Sequence, residues 1–117
     1  MYCAVMNKKD LVAASSRPLV LALLAQGESY GYEIIQKIRE LSREEIDWNE
    51  GMLYPVLHRL EREDLITAEW KKSENGRERK YYRLTPGGRK ALASEKTDWM
   101  TVHNTLERLW KTIPSSI

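Results

Sequence analysis

The segment from residue 49 to residue 85 constrains the fold of this 117-residue chain more than any other. It begins with the helix-like stretch NEGMLYPVLHRLERED and continues with two strand-like stretches, ITAEWKKS and RKYYRLT, which flank the turn sequence ENG. The apolar residues that share one side of the predicted helix are Leu53, Val56, Leu57 and Leu60. A helix followed directly by a hairpin predicts a mainly α fold with a small antiparallel β-hairpin (α+β).

The hairpin prediction rests on alternation and on the turn. Ile66, Ala68 and Trp70 alternate with polar residues, which is the period of a half-buried strand. Asn75 and Gly76 supply the positive φ angles that a tight hairpin turn needs. The residues of the second strand that can face the core are Tyr82 and Leu84.

The first predicted helix covers residues 9–26, ends before Gly27 and contains Pro18. Proline lacks an N–H and is tolerated best at the start of a helix. Two alternatives therefore remain open. Either Ser15 or Ser16 caps a new helix just before the proline, or one longer helix kinks at it.

The second helix is predicted to be capped by Ser29 and to end at about residue 41. Its predicted buried stripe is Ile34, Ile35, Ile38 and Leu41. An acidic loop over residues 42–48 leads to the third helix, where Pro55 predicts an irregular first turn.

The last helix is predicted to begin at Thr85-Pro86, an N-cap followed by proline, and to end at about Thr112. At 1.5 Å per residue it is about 40 Å long, too long to lie wholly on so small a domain. Its apolar residues follow a heptad repeat interrupted at Glu95, and the predicted seam is Leu92, Trp99, Val102, Leu106, Leu109 and Ile113. The seam favours pairing with a second copy, and the alternative is packing on its own domain. We predict one domain over residues 9–85 and a dimerisation helix over residues 86–113.

Charge is segregated along the chain. Residues 28–50 hold seven acids and three bases, whereas residues 70–90 hold eight bases and two acids. A basic lobe suits a polyanionic partner, whereas bases that serve only solubility would be mixed with acids. An α-helix fits the major groove of DNA, and a β-hairpin can contact phosphates beside it. The layout therefore predicts a winged helix-turn-helix.

Candidate DNA contacts lie on the third helix opposite its apolar side, on the hairpin and at the start of the second helix. They are Tyr30, Tyr32, Asn49, Met52, Tyr54, Pro55, His58, Arg59, Arg62, Lys72, Asn75, Gly76, Arg77, Arg79 and Lys80. Asn49 can pair with an adenine edge, and Arg59 or Arg62 with guanine or phosphate, whereas the hairpin bases suit phosphates. The alternatives are a solvated helix face and, for Tyr30 and Tyr32, packing against the hairpin.

The sequence lacks the features that are usual in enzymes and in membrane proteins. The single cysteine, Cys3, gives no intramolecular disulfide and no metal cluster, which fits a reducing cytoplasm. No apolar run approaches the roughly 18 residues of a membrane span. The two histidines, His58 and His103, lie on different predicted helices, and no nucleophile elbow or glycine-rich phosphate loop is present. We expect a cytoplasmic protein that is not an enzyme and that binds no metal or cofactor.

Three runs of the sequence resemble the PadR family of bacterial transcriptional regulators, in its short-chain form. They are YGYEIIQKI, GMLYPVLHRLEREDLI and NGRERKYYRLTPGG, and the resemblance covers about residues 18–109. It implies a homodimeric repressor whose third helix reads an operator in double-stranded DNA, whose hairpin is the wing, and whose C-terminal helix dimerises. The residues that the resemblance places at DNA-facing positions are Tyr32, Tyr54, Pro55, Gly76, Arg77, Arg79 and Lys80.

Three further positions follow from the resemblance. Asp64 replaces the usual glycine after the third helix, and it is expected to keep the left-handed turn because aspartate tolerates that geometry. Glu78 replaces a frequent wing proline. Trp99 aligns with a tryptophan that stacks flat aromatic effectors at the dimer centre in multidrug-sensing members; the alternative is a packing residue. The alternative for the whole chain is a winged-helix module that binds another protein without specific DNA binding.

Overall fold

The computed structural model describes residues 8–114. The elements along the chain are α1 (Lys8–Ala14), α2 (Ser16–Leu24), β1 (Ser29–Tyr30), α3 (Gly31–Leu41), α4 (Glu50–Arg62), β2 (Ile66–Lys72), β3 (Glu78–Leu84) and α5 (Pro86–Thr112). The strands form one antiparallel sheet in the order β1-β3-β2. This architecture confirms the predicted fold class. Cys3 lies outside the described residues.

The region predicted as the first helix contains two helices. Ser15 separates α1 from α2 and occupies the N-cap position of α2, so a new helix begins before Pro18 instead of one long helix kinking there. The Ser15 hydroxyl does not cap α2, because it donates to the carbonyl oxygen of Leu11 at 2.8 Å. Pro18 lies in the first turn of α2, where its missing N–H costs least.

The predicted N-cap of the second helix is wrong by one residue. The N-cap of α3 is Tyr30, not Ser29. Ser29 is buried in β1, where it pairs with Tyr82 of β3, and its hydroxyl donates to Glu33 Oε1 at 2.6 Å. The sequence shows no pattern for this two-residue strand because the pairing partner lies about 50 residues away.

The buried stripe of α3 is shorter than predicted. Ile34 and Ile38 are buried and Ile35 packs against the core, but Leu41 is 69% exposed. Leu41 is the last residue of α3, and the chain then turns through positive φ angles at Arg43 and Glu44. The final helical turn therefore lies beyond the core.

One hydrophobic core joins α2, α3 and α4 to the sheet. Its buried members are Val20, Leu21, Leu23, Leu24, Ile34, Ile38, Trp48, Leu53, Leu57, Leu60, Ile66, Tyr82 and Leu84. The apolar face predicted for the third helix is confirmed, with Val56 at its partly buried edge. The core faces predicted for Tyr82 and Leu84 are also confirmed. Trp48 in the acidic loop is an additional core residue that sequence periodicity did not reveal.

The hairpin differs from the prediction at two residues. Trp70 is 65% exposed, so the half-buried face of β2 ends before it. In the turn only Gly76 has a positive φ, of 80°, and Asn75 does not. The amide of Ser73 donates to the carbonyl oxygen of Arg77 at 2.8 Å, which closes a three-residue loop with glycine in the left-handed position.

The end of α4 and the start of α5 meet in a tight joint. Asp64 has φ 58°, which confirms its left-handed conformation, and Leu65 N–H donates to Leu60 O at 3.0 Å in a Schellman arrangement. Thr85 caps α5 by accepting from the amide of Gly88 at 3.0 Å, and its hydroxyl donates to Asp64 O at 2.6 Å. The orientation of α5 is thereby linked to the C-terminus of α4.

Candidate nucleic-acid interface

One side of α4 is exposed and faces away from the core. Its exposed members are Gly51, Pro55, His58, Arg59 and Arg62. Met52 and Tyr54 are partly buried at the flanks and pack against the core. The Oδ1 atom of Asn49 accepts from the amide of Met52 at 3.0 Å and caps the helix. The Asn49 oxygen thus has a structural role, and the NH₂ group is the part left to donate to a DNA base.

Pro55 does not interrupt α4, contrary to the irregular first turn expected from the sequence. The helix is continuous from Glu50 to Arg62 with Pro55 inside it. Proline has no N–H, so the carbonyl oxygen of Gly51 lacks its usual donor four residues later. Both residues lie on the exposed side, where water or a DNA base can supply that donor.

Tyr54 packs closely against the first turn of α3. A Cβ atom at Gly31 would lie 2.8 Å from Tyr54 Oη and 3.2 Å from its Cζ, so a larger residue there would force the phenol to shift. The Tyr54 ring also lies 6.3 Å from the His58 ring. The motif Tyr-Gly-Tyr at the start of α3 is therefore packed against α4.

The two tyrosines at the start of α3 have different environments. Tyr30 contacts the Tyr81 ring edge to face, with a centroid distance of 5.4 Å, and the guanidinium of Arg79 lies 4.3 Å from its ring centre. Tyr32 is 61% exposed, and its hydroxyl accepts from Gln36 Nε2 at 2.7 Å. Packing against the hairpin therefore holds for Tyr30, while Tyr32 remains accessible to a ligand.

The wing has an exposed tip and a fixed base. The exposed residues at the tip are Lys72, Glu74, Asn75, Gly76, Arg77 and Glu78, so two acids accompany the two bases. At the base, Arg79 stacks on Tyr30, and Lys80 Nζ lies 3.7 Å from Glu61 Oε1 on α4. These contacts hold the wing against the helices and leave the tip bases free to reach phosphates.

Lys71, one of the hairpin bases that the sequence predicts to suit phosphates, is held in an ion pair within the chain. Its Nζ donates to both carboxylate oxygens of Glu28, at 2.7 and 2.9 Å. The hydrogen bond that Lys71 donates to Glu28 raises the pKa of Lys71, and the nearby carboxylate of Glu69 adds to this effect. The contact ties the outer end of β2 to the residue just before β1.

A cleft of about 680 Å³ lies between the wing and the first turns of α3 and α4. Its lining residues are Tyr30, Gly31, Tyr32, Glu50, Tyr54, Trp70, Arg77, Glu78, Arg79 and Lys80. The cleft brings together six of the predicted contacts: Tyr30, Tyr32, Tyr54, Arg77, Arg79 and Lys80. His58, Arg59 and Arg62 line a separate hollow further along α4. The predicted contacts are spread over more than two depressions, because Lys72 and Asn75 line a further hollow with Tyr30 and Arg79.

The C-terminal helix has two different halves. Leu92 packs against the core, and Glu95, where the heptad is interrupted, is held by Arg17 of α2. The exposed large apolar residues of the second half are Trp99, Met100, Val102, Leu106, Leu109, Trp110 and Ile113. An apolar hollow of about 430 Å³ lies where the halves meet, lined by Pro18, Ala22, Leu92, Lys96, Trp99 and Met100.

The described part of the chain offers neither a cluster of metal ligands nor a membrane-spanning helix. Within residues 8–114, His, Cys, Asp and Glu side chains form no cluster of three that is able to hold a metal ion. Over the same residues, no helix has the length and apolar character needed to cross a bilayer.

The fold and its exposed basic surface define a winged helix-turn-helix protein, with α3 and α4 as the helix-turn-helix and β2-β3 as the wing. The model of the Transcriptional regulator PadR-like family matches residues 20–94, and the chain belongs to that family. It is a DNA-binding transcriptional regulator and not an enzyme.

Relatives of known sequence and structure agree with this assignment. A transcriptional regulator of Mycobacterium tuberculosis is 38% identical over 88 residues, which cover 75% of this chain and 78% of that protein. The structure of a PadR-like transcriptional regulator from Bacillus cereus is 31% identical, with a TM-score of 0.79 over 88% of this chain and 98% of that one. A transcriptional regulator from Clostridium thermocellum is 31% identical, with a TM-score of 0.77 over 89% of this chain and 97% of that one.

Proposed function

We propose that this chain is a sequence-specific repressor that binds its operator as a homodimer. The observation that carries the proposal is the exposed side of α4, which lies beside a wing whose tip exposes Lys72 and Arg77. In this proposal α4 enters a major groove, and the wing contacts the adjacent phosphates. Residues 9–85 form the DNA-binding domain, and residues 86–113 form the dimerisation helix.

Base reading is assigned to the side chains on the exposed side of α4. Arg59 and Arg62 have the geometry to donate to guanine, and the NH₂ group of Asn49 remains a donor after its oxygen has capped the helix. Met52 and Pro55 are suited to contact a thymine methyl group. Tyr54 and His58 are assigned to phosphate.

Phosphate contact is assigned to the wing and to Tyr32. Lys72, Arg77 and the backbone at Asn75-Gly76 are exposed at the wing tip. Arg79 and Lys80 are already held by Tyr30 and Glu61, so they position the wing as well as adding positive charge. Such contacts attract any duplex and carry little sequence information.

Dimerisation is assigned to the second half of α5. The same side of the helix that packs Leu92 on its own domain continues as exposed apolar side chains beyond the domain. Two such helices that pair around Trp99, Val102, Leu106 and Leu109 would remove these side chains from water, which is favourable by about 25 cal/mol per Å². Two-fold symmetry then places two α4 helices in grooves about one DNA turn apart.

An effector role is assigned to Trp99. The apolar hollow beside it has the size of a small-molecule site, and its Trp99 indole is suited to stacking on a planar aromatic compound. Binding there regulates the protein only if the compound prefers one arrangement of the dimer over another. Quenching of tryptophan fluorescence by planar dyes should be lost in Trp99→Ala, and unchanged quenching would move the site elsewhere.

The function is tested by selecting bound duplexes from random DNA and mapping the selected sequence near the gene. A palindromic sequence with half-sites about one turn apart, bound with salt-dependent affinity, supports the proposal. Arg77→Ala with Lys80→Ala should weaken binding to all duplexes, whereas Arg59→Ala should change the preferred sequence. If no sequence is enriched and the basic wing binds only an acidic protein, the chain is an interaction module instead.

A further inference from the structure

Trp70 is a large apolar side chain that the fold leaves exposed. It pairs with Lys80 across the hairpin, two residues beyond the pair formed by Ala68 and Tyr82. Alternate residues of a strand share a face, so Trp70 lies on the side of the hairpin that buries Tyr82 and Ile66. The core ends before Trp70, however, and 65% of its surface is accessible.

The indole lines the cleft between the wing and the helices, together with Tyr32, Tyr54 and Arg77. Aromatic side chains approach this cleft from β2, α3 and α4. They combine apolar area with polar groups, because the indole has an N–H donor and each phenol a hydroxyl. A duplex backbone offers the complementary surface, since its deoxyribose rings are weakly polar and its phosphates accept hydrogen bonds.

We propose that Trp70 is a further DNA contact, with its indole packed against the sugar-phosphate backbone that passes between the wing and α4. The inference rests on the proposed function and deepens it. The occupant is the DNA backbone because Arg77, Arg79 and Lys80 place three positive charges along the same cleft. Glu50 and Glu78 offset part of that charge, so attraction alone is modest and the indole supplies contact area that does not depend on charge.

The test compares Trp70→Ala and Trp70→Phe with the wild-type protein on the selected operator and on an unrelated duplex. Fluorescence anisotropy of labelled DNA is measured over a series of salt concentrations. Trp70→Ala should weaken both complexes by about tenfold, while the slope of log K against log salt stays unchanged because no charge is lost. Trp70→Phe, which keeps a flat ring and loses the N–H, should recover part of the affinity.

Leu41→Ala is the matched control, because it removes an equally exposed apolar side chain on the far end of α3. Both Trp70 variants should keep the wild-type thermal midpoint, since the indole lies outside the core. Wild-type affinity in Trp70→Ala would overturn the inference and leave DNA binding standing. A change in sequence preference would also overturn it, because it would assign Trp70 to base reading. If the wild-type protein binds no DNA, the proposed function fails first.

Discussion

Arg17 on α2 donates from its Nε to both carboxylate oxygens of Glu95 on α5, at 3.0 and 3.1 Å. Its Nη1 also donates to both oxygens of Glu63, the C-cap residue of α4, at 2.9 Å. One cation therefore joins the end of α4 to the first half of α5. Burial opposes the charge on Arg17, but the hydrogen bonds to Glu63 and Glu95 outweigh it and raise the pKa of the guanidinium.

Replacement of Arg17 by alanine should destabilise the fold. The substitution leaves the carboxylates of Glu63 and Glu95 near each other without their shared cation. Because the side chain of Arg17 is 35% exposed, we expect the free energy of unfolding measured with urea to fall by only about 1–2 kcal/mol. The control is Lys37→Ala, which breaks a more exposed pair with Glu33. An equal, small loss in both variants would show that Arg17 is an ordinary surface charge.

Tyr82→Phe should leave stability at neutral pH unchanged or slightly higher. Among residues 8–114, the buried Tyr82 Oη has no hydrogen-bond partner, so removing it removes an unsatisfied polar group. The measurement is the free energy of unfolding by urea at pH 7. Tyr81→Phe is the control for loss of a phenol elsewhere in β3, and a large loss in Tyr82→Phe alone would reveal a bound water or other partner.

The same phenol should make stability fall at alkaline pH. Burial, with smaller contributions from Glu61 and Tyr54, raises the pKa of Tyr82 from 10.0 to about 12. The folded state favours the neutral phenol, so this contribution is complete below pH 10 and is lost as the pH rises to about 12. We expect a loss of about 2–3 kcal/mol between these values in the wild type. A Tyr82→Phe protein with the same alkaline loss would assign the effect to another group.

Gly88→Ala should be far more damaging than Gly87→Ala. A Cβ at residue 88 would lie 2.0 Å from the carbonyl oxygen of Leu65, whereas at residue 87 the nearest atoms are 3.6 Å away. We expect Gly88→Ala to lose more than about 2 kcal/mol, and Gly87→Ala to be neutral or stabilising because alanine favours the helix. Thermal unfolding of both proteins checks the difference, and similar midpoints would mean that the joint between α4 and α5 is compliant.

Gly31→Ala should weaken DNA binding through Tyr54. The new Cβ would lie 2.8 Å from Tyr54 Oη, so this phenol, which is a proposed phosphate contact, must shift. Tyr54→Phe removes that oxygen, so the double variant should bind DNA better than the two separate losses predict. Additive losses in affinity would show that residue 31 and Tyr54 act independently.

Leu106→Glu should convert the proposed dimer to a monomer. A charge in the apolar seam cannot be buried without a partner, and loss of the second copy should lower operator affinity by at least about a hundredfold. Asn104→Glu is the control, because residue 104 lies on the opposite side of α5. Sedimentation velocity reports the association state, and a dimeric Leu106→Glu protein would place the interface elsewhere.

Local patterns predicted most of the fold. The cap at Thr85 and Pro86 gave the bounds of α5, the apolar period gave the buried side of α4, and the tolerance of aspartate gave the turn at Asp64. These features depend on residues within a few positions of each other, which a sequence displays directly.

Several of the missed features are non-local. Strand β1 exists only through its pairing with β3. Glu95 interrupts the heptad repeat because its side chain pairs with Arg17, which lies 78 residues away in the sequence. Alternation predicted a half-buried Trp70, but alternation gives the face of a strand and does not show where the core beneath it ends. The candidate site was therefore predicted as a set of residues, and its cleft was not.

The close approach of Gly88 to Leu65 bears on the spacing of the operator half-sites that the proposed dimer would bind. If the joint is rigid, the separation of the two DNA-binding domains in the proposed dimer depends on the length of α5 between the joint and Trp99. Seven inserted residues would keep the same face of the helix toward the partner copy and would displace each domain by about 10 Å along the helix. That displacement corresponds to roughly three base pairs. An insertion of two residues would instead turn the seam away from the partner copy. In the proposed dimer, the length of α5 would therefore set the spacing of the operator half-sites.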